Sequence, residues 1–209
     1  MLQFITHPSD RYSIPEEVQM AIEGGCRWIQ LRMKDATDEE FRATALEIIP
    51  LCKETDTILV FDDRVDMTRE LAPHGVHLGK EDMPPRQARE ELGAGAIIGV
   101  TCNTIDDILA TRGIDIDYIG LGPFRHTETK RRLAPVLGLE GYKTIVKAAR
   151  EAGIETPIVA IGGITLDDVE PLMATGVNGI AMSGAIINAD DPMLYTSSVM
   201  ERLLGINKN

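Results

Sequence analysis

Pro157-Ile158-Val159-Ala160-Ile161-Gly162-Gly163-Ile164 and Gly179-Ile180-Ala181-Met182-Ser183-Gly184-Ala185-Ile186 are two short apolar runs, each breaking at glycine, with an amphipathic stretch between them. Runs of this length and composition, bounded by turn residues, predict buried parallel strands alternating with helices. The same unit recurs outward from here along the whole chain. Strands are expected at Leu2–Thr6, Trp28–Arg32, Ile58–Asp62, Gly75–Leu78, Ala96–Thr101, Tyr118–Gly122, Pro157–Gly162 and Gly179–Ser183. Between them, Asp38–Glu54 carries Phe41, Ala45, Ile48 and Ile49 at helical spacing, and Arg64–Leu71 is a shorter helix. Further helices begin near Pro15, Pro84, Ile105, Leu139, Leu166 and Pro192, the last after an Asp191 N-cap. Eight such pairs favour a closed parallel barrel, an α/β fold of the single (β/α)8 TIM-barrel type, spanning residues 1–209 as one domain. An open doubly wound sheet would carry a Gly-rich fingerprint after its first strand, where this chain has His7-Pro8-Ser9-Asp10.

Composition narrows the function. The formal net charge of −12 argues against nucleic-acid partners. The chain lacks an apolar run long enough for a membrane span and a signal-peptide pattern at its start, so a cytoplasmic protein is expected. Cys26, Cys52 and Cys102 are odd in number and widely spaced, which fits buried thiols better than disulfides or structural zinc. Homo-oligomer formation is compatible with this composition and is not required by it.

In a barrel of this kind the chemistry sits at the C-terminal strand ends. Alternation sends Gln30, Arg32 and Lys34 to one side, facing the interior, where unpaired charge is costly and an anionic ligand would balance it. Asp63 and Asp82 follow adjacent strands and are candidates to share Mg2+, which takes one or two carboxylates plus phosphate oxygens. Each could equally be a helix N-cap. The loop Gly122-Pro123-Phe124-Arg125-His126-Thr127-Glu128-Thr129-Lys130 offers hydroxyls, backbone N–H groups and a lysine to an anion. Gly163 and Gly184 fall in the loops after strands seven and eight, the common phosphate cradle of these barrels. Two anion sites and one metal pair point to two phosphorylated small-molecule substrates or one bisphosphate.

Taken together, Gln30-Leu31-Arg32-Met33-Lys34, Gly75-Val76-His77-Leu78-Gly79-Lys80-Glu81-Asp82, Gly122-Pro123 with Thr127-Glu128-Thr129-Lys130, and Ala160-Ile161-Gly162-Gly163-Ile164 resemble the thiamine phosphate synthase family over nearly the whole barrel. The resemblance implies a transferase of thiamine biosynthesis that joins hydroxymethylpyrimidine diphosphate to a thiazole phosphate, giving thiamine phosphate and diphosphate. It places Gln30, Arg32, Lys34 and Lys130 on the pyrimidine diphosphate, with Arg32, Lys34 and Lys130 as the catalytic cations. Asp63 and Asp82 would hold Mg2+, and Thr101 stands near the pyrimidine, where the family usually has serine. Thr127, Thr129, Gly163, Ser183 and Gly184 would receive the thiazole phosphate. Asp62, a substrate-binding position, replaces the usual asparagine, and Lys80 replaces glutamine; their opposite charges are expected to offset each other. Phe124-Arg125-His126 and Ser183-Gly184 also depart from the family pattern. The Phe124–Leu137 segment is the expected lid. The rival readings are a thiazole tautomerase of the same barrel family, for which His126 is the candidate base, and a noncatalytic phosphate-ligand-binding barrel.

Overall fold

A computed structural model describes residues 1–126 and 135–206. Each apolar run forms a strand: β1 (Leu2–Ile5), β2 (Trp28–Leu31), β3 (Ile58–Asp62), β4 (Gly75–Leu78), β5 (Ile97–Cys102), β6 (Tyr118–Leu121), β7 (Ile158–Ile161) and β8 (Gly179–Met182). All pair in parallel and in chain order, and β8 returns to β1 to close the barrel. The fifth strand runs one residue past the expected stretch, to Cys102. Between the strands lie α1 (Ile14–Glu23), α2 (Asp38–Glu54), α3 (Val65–Leu71), α4 (Pro85–Leu92), α5 (Ile105–Ala110), α6 (Gly138–Glu151) and α7 (Val169–Met173), the last preceded by a 3-10 turn at Leu166–Asp168. The chain after β8 forms a short α8 (Gly184–Ile187) and then α9 (Pro192–Ile206). No helix among the described residues is long and apolar enough to cross a membrane.

Local signals explain the helix starts. Ser13 with Glu16, Thr37 with Glu40 and Thr104 with Asp107 form reciprocal capping boxes, each satisfying N–H groups that the first turn leaves open. Asp191 accepts from Leu194 N at 2.9 Å, as the expected cap does. Helix α2 buries Phe41, Ala45, Ile48 and Cys52 along one stripe against the barrel.

Alternation along the strands divides the core. Leu2, Phe4, Ile29, Leu31, Leu59, Phe61, Ile98 and Ile119 point outward into the large layer beneath the helices. Ile5, Trp28, Tyr118, Val159 and Ala181 form a smaller cluster within the barrel. The positions facing inward above and beside this inner cluster include Gln3, Gln30, Asp62 and His77, all buried. Polar side chains there need partners, because an unpaired buried polar group is costly. The three cysteines are free and buried, and burial pushes the Cys26 and Cys52 thiols up to about 11 and the Cys102 thiol up to about 12.

Candidate active site

The side chains on and after β2 meet the end of β3. Gln30 Nε2 donates to Asp62 Oδ1 at 2.8 Å, while Arg32 Nε and Lys34 Nζ lie 3.6 and 3.8 Å from Asp62 Oδ2. The alternation expected of Gln30, Arg32 and Lys34 is therefore realised, with Asp62 as the anion that gathers them. Burial pushes the Asp62 carboxyl above its ordinary value, against the pull of Lys34 and Arg32. Gln30 Oε1 is buried with no hydrogen-bond partner, an acceptor left over at the barrel mouth. Lys80 does not offset Asp62. Its ammonium sits 2.6 Å from Asp107 Oδ2, because the loop after β4 leans over the start of α5.

Asp63 follows with φ 72, a left-handed conformation for a residue with a Cβ. Its backbone N–H donates to His77 O at 2.8 Å, which fixes this turn against β4. Asp82 is no helix cap: its Oδ2 accepts from Gly79 N at 2.6 Å, closing the loop after β4, and α4 begins later behind Pro84. The Asp63 carboxyl neighbours that of Asp82. Partial burial, then the neighbouring Asp82 carboxyl, raise the Asp63 carboxyl to about 6, although its side chain remains accessible at the mouth. Two carboxyls held this closely favour a shared proton or a shared cation. Among the described residues no group of three or more His, Cys, Asp or Glu side chains is assembled for a metal, so an ion here would draw its remaining ligands from substrate and water.

The other half of the mouth is a cavity of about 310 Å³ lined by the loops after β1, β6, β7 and β8. Gly162 and Gly163 take φ values of 100 and 66, which side-chain-bearing residues rarely adopt. A Cβ on Gly162 would meet Pro123 Cβ at 2.7 Å, and one on Gly163 would meet Arg125 Cβ at 2.8 Å. Arg125 ties the loops together. It donates to Gly163 O at 3.0 Å and forms a two-pronged pair with the buried Asp168, which also accepts from Thr165 N at 2.8 Å. Ser183 and Gly184 line the cavity at the start of α8.

Arg32 lines this cavity as well as facing Asp62, so one guanidinium joins the two halves. Thr6, His7 and Thr165 also line it, and none stood out in the sequence. For His7 the available signal was its place directly after the first strand. Burial and the nearby Arg32 charge lower the His7 pKa, which favours a neutral imidazole. His126 lies on the rim of the same cavity. Thr101 faces inward on β5, half-buried, with Oγ1 2.9 Å from His77 Nε2. Thr127, Thr129 and Lys130, and most of the expected lid, lie outside the described residues.

Comparison with known proteins gives a consistent picture. The family model described as thiamine monophosphate synthase matches residues 2–186. The thiamine-phosphate synthase of Bacteroides thetaiotaomicron is 54% identical over 199 residues, covering 95% of both chains. That of Flavobacterium johnsoniae is 41% identical over 202 residues, covering 97% of this chain and 95% of its own. Among solved structures, thiamine phosphate pyrophosphorylase from Pyrococcus furiosus superposes with a TM-score of 0.87 at 33% identity, covering 98% of this chain and 96% of its own.

Proposed function

The chain belongs to the thiamine monophosphate synthase family, and from that premise we propose that its barrel mouth joins hydroxymethylpyrimidine diphosphate to a thiazole phosphate. The observation that carries this reading is the pairing of a cationic half, Arg32 and Lys34 beside Gln30, with a separate glycine-lined cavity, Arg32 belonging to both.

The reaction forms one bond and breaks one. The thiazole nitrogen lone pair attacks the methylene carbon of the pyrimidine, and the C–O bond to diphosphate breaks with its electron pair leaving on oxygen. No proton must be removed from the nucleophile, so a general base is unnecessary. Charge develops on the departing diphosphate, and preorganised cations stabilise it. Arg32 and Lys34 are held toward the mouth by Asp62 before substrate arrives, and diphosphate oxygens would exchange with that carboxylate. Lys130 would add a third cation. Asp63 and Asp82 would hold Mg2+, which when bound supplies positive charge to the diphosphate oxygens. Gln30 and Thr101 would contact the pyrimidine. Gly163, Ser183 and Gly184, with Thr127 and Thr129, would receive the thiazole phosphate. Fixing both substrates at one mouth supplies the remaining acceleration through alignment.

The test is diphosphate release from both substrates with Mg2+. Folded protein that releases none would sink the reading. Given release, Lys130→Ala and Asp63→Ala should each lower kcat/KM by about 100-fold or more, the scale of one removed electrostatic stabiliser. Near-normal turnover in both variants would show that the diphosphate site lies elsewhere.

A further inference from the structure

Within the barrel, four side chains from four strands form one chain of hydrogen bonds. Gln3 Nε2 donates to the Tyr118 hydroxyl at 3.1 Å, Tyr118 Oη lies 3.0 Å from His77 Nδ1, and His77 Nε2 lies 2.9 Å from Thr101 Oγ1. Gln3, Tyr118 and His77 are all buried, at 2%, 3% and 5% exposure. The barrel makes room for the two rings. A Cβ on Gly99 would sit 2.1 Å from Tyr118 Cζ, and one on Gly120 would sit 3.0 Å from His77 Cε1. The Tyr118 ring is further fixed edge-on against Trp28, with centroids 4.7 Å apart.

The polarity of the chain follows from its first member. The Gln3 amide nitrogen can only donate, so the Tyr118 oxygen accepts there. Burial pushes the Tyr118 phenol well above its ordinary value and keeps its proton, which is then directed at His77 Nδ1. A neutral imidazole that accepts at Nδ1 carries its proton on Nε2 and donates it to Thr101. The Thr101 oxygen, already accepting, has its own proton to give to a ligand at the mouth.

We propose that Gln3, Tyr118 and His77 are positioning residues that fix Thr101 as a hydrogen-bond donor, so that it reads an acceptor such as a ring nitrogen of the pyrimidine and not the amino group. The assignment to the pyrimidine rests on the function proposed above; the polarity of the relay does not. Reversing the Gln3 amide would reverse every bond in the chain and leave Thr101 presenting only lone pairs to the substrate.

The relay can be tested without substrate. In protein labelled with 15N-histidine, long-range proton–nitrogen spectra near pH 8 should show His77 as the neutral tautomer protonated on Nε2. A proton on Nδ1, alone or with one on Nε2, overturns the relay. The role of the relay is then read from kinetics. Tyr118→Phe keeps the ring against Trp28 and over Gly99 but removes the donor to His77. It should raise KM for the pyrimidine diphosphate about tenfold, the scale of one hydrogen bond, and leave KM for the thiazole phosphate unchanged. Thr101→Val should show the same split, Thr101→Ser should restore wild-type behaviour, and Tyr118→Phe with Thr101→Val should be no worse than either alone. An equal rise in both KM values, no rise, or additive losses would overturn the positioning role. A wild type that releases no diphosphate removes the assignment to the pyrimidine, while the tautomer still decides the relay.

Discussion

Asp63 carries opposing demands. Its left-handed backbone places its carboxyl beside that of Asp82, and its pKa of about 6 reflects partial burial first and then the cost of ionising next to that neighbour. A carboxyl whose folded pKa is raised binds protons in the native state that the unfolded chain has already released. Its contribution to stability is full below the ordinary carboxyl range and is lost as pH rises through about 6. The buried Glu17, raised to about 7 by burial, adds a second loss of the same sign just above. Comparing wild type with Asp63→Asn isolates the first. In metal-free buffer the variant should lose less melting temperature than wild type between about pH 4 and 7, because it has no such carboxyl to ionise. At higher pH, Mg2+ should raise the wild-type melting temperature, since a bound ion stabilises the folded state, and should leave the variant unmoved. Scanning fluorimetry across pH with and without Mg2+ measures both, and identical curves for the two proteins would remove Asp63 from the proposed metal pair.

Loops after β6 and β7 act as one element because Arg125 and Asp168 join them. Burial alone would raise the Asp168 carboxyl, but hydrogen bonds from Arg125 and Thr165 bring it below its ordinary value. The same carboxylate therefore anchors the loop after β6 and caps the 3-10 turn after β7, while Gly162 and Gly163 lie between. Asp168→Asn keeps the shape and removes the charge. It should cost about 2 kcal/mol of stability, less than two full charge-assisted bonds because the Arg125 side is solvent-screened. It should also raise KM for the thiazole phosphate severalfold and leave that for the pyrimidine diphosphate near wild type, read from chemical denaturation and steady-state kinetics. Equal effects on both substrates would show that the clamp supports the barrel and not the cradle. Nothing in the local sequence foretold this pair. Arg125 stood out only as part of the Phe124-Arg125-His126 departure from the family pattern, and Asp168 did not stand out at all.

The reach of sequence reading across the molecule follows from where its signals reside. Strand order, the inward face of Gln30, Arg32 and Lys34, and the glycine turn at Gly162-Gly163 are local patterns, and each was readable from a few consecutive residues. Lys80 with Asp107, and Gln3 with Tyr118, are set by the register of a closed barrel, which no short window contains. Charge is the property that belongs to the molecule entire. At −12 the protein as a whole repels its anionic substrates, and the described part of the mouth sets Arg32 and Lys34 against Asp62, Asp63 and Asp82. Salt screens the distant repulsion, since the Debye length is about 10 Å at 0.1 M, but weakens contact pairs in the mouth much less. With Mg2+ held saturating, kcat/KM for the pyrimidine diphosphate is therefore expected to rise modestly, by about two- to threefold, between roughly 20 and 200 mM KCl. A steep fall over the same range would mean that attraction governs capture. The source would then be sought in Lys130-Arg131-Arg132, the basic run that the sequence places after the sixth strand, and substituting those three with alanine should abolish the fall.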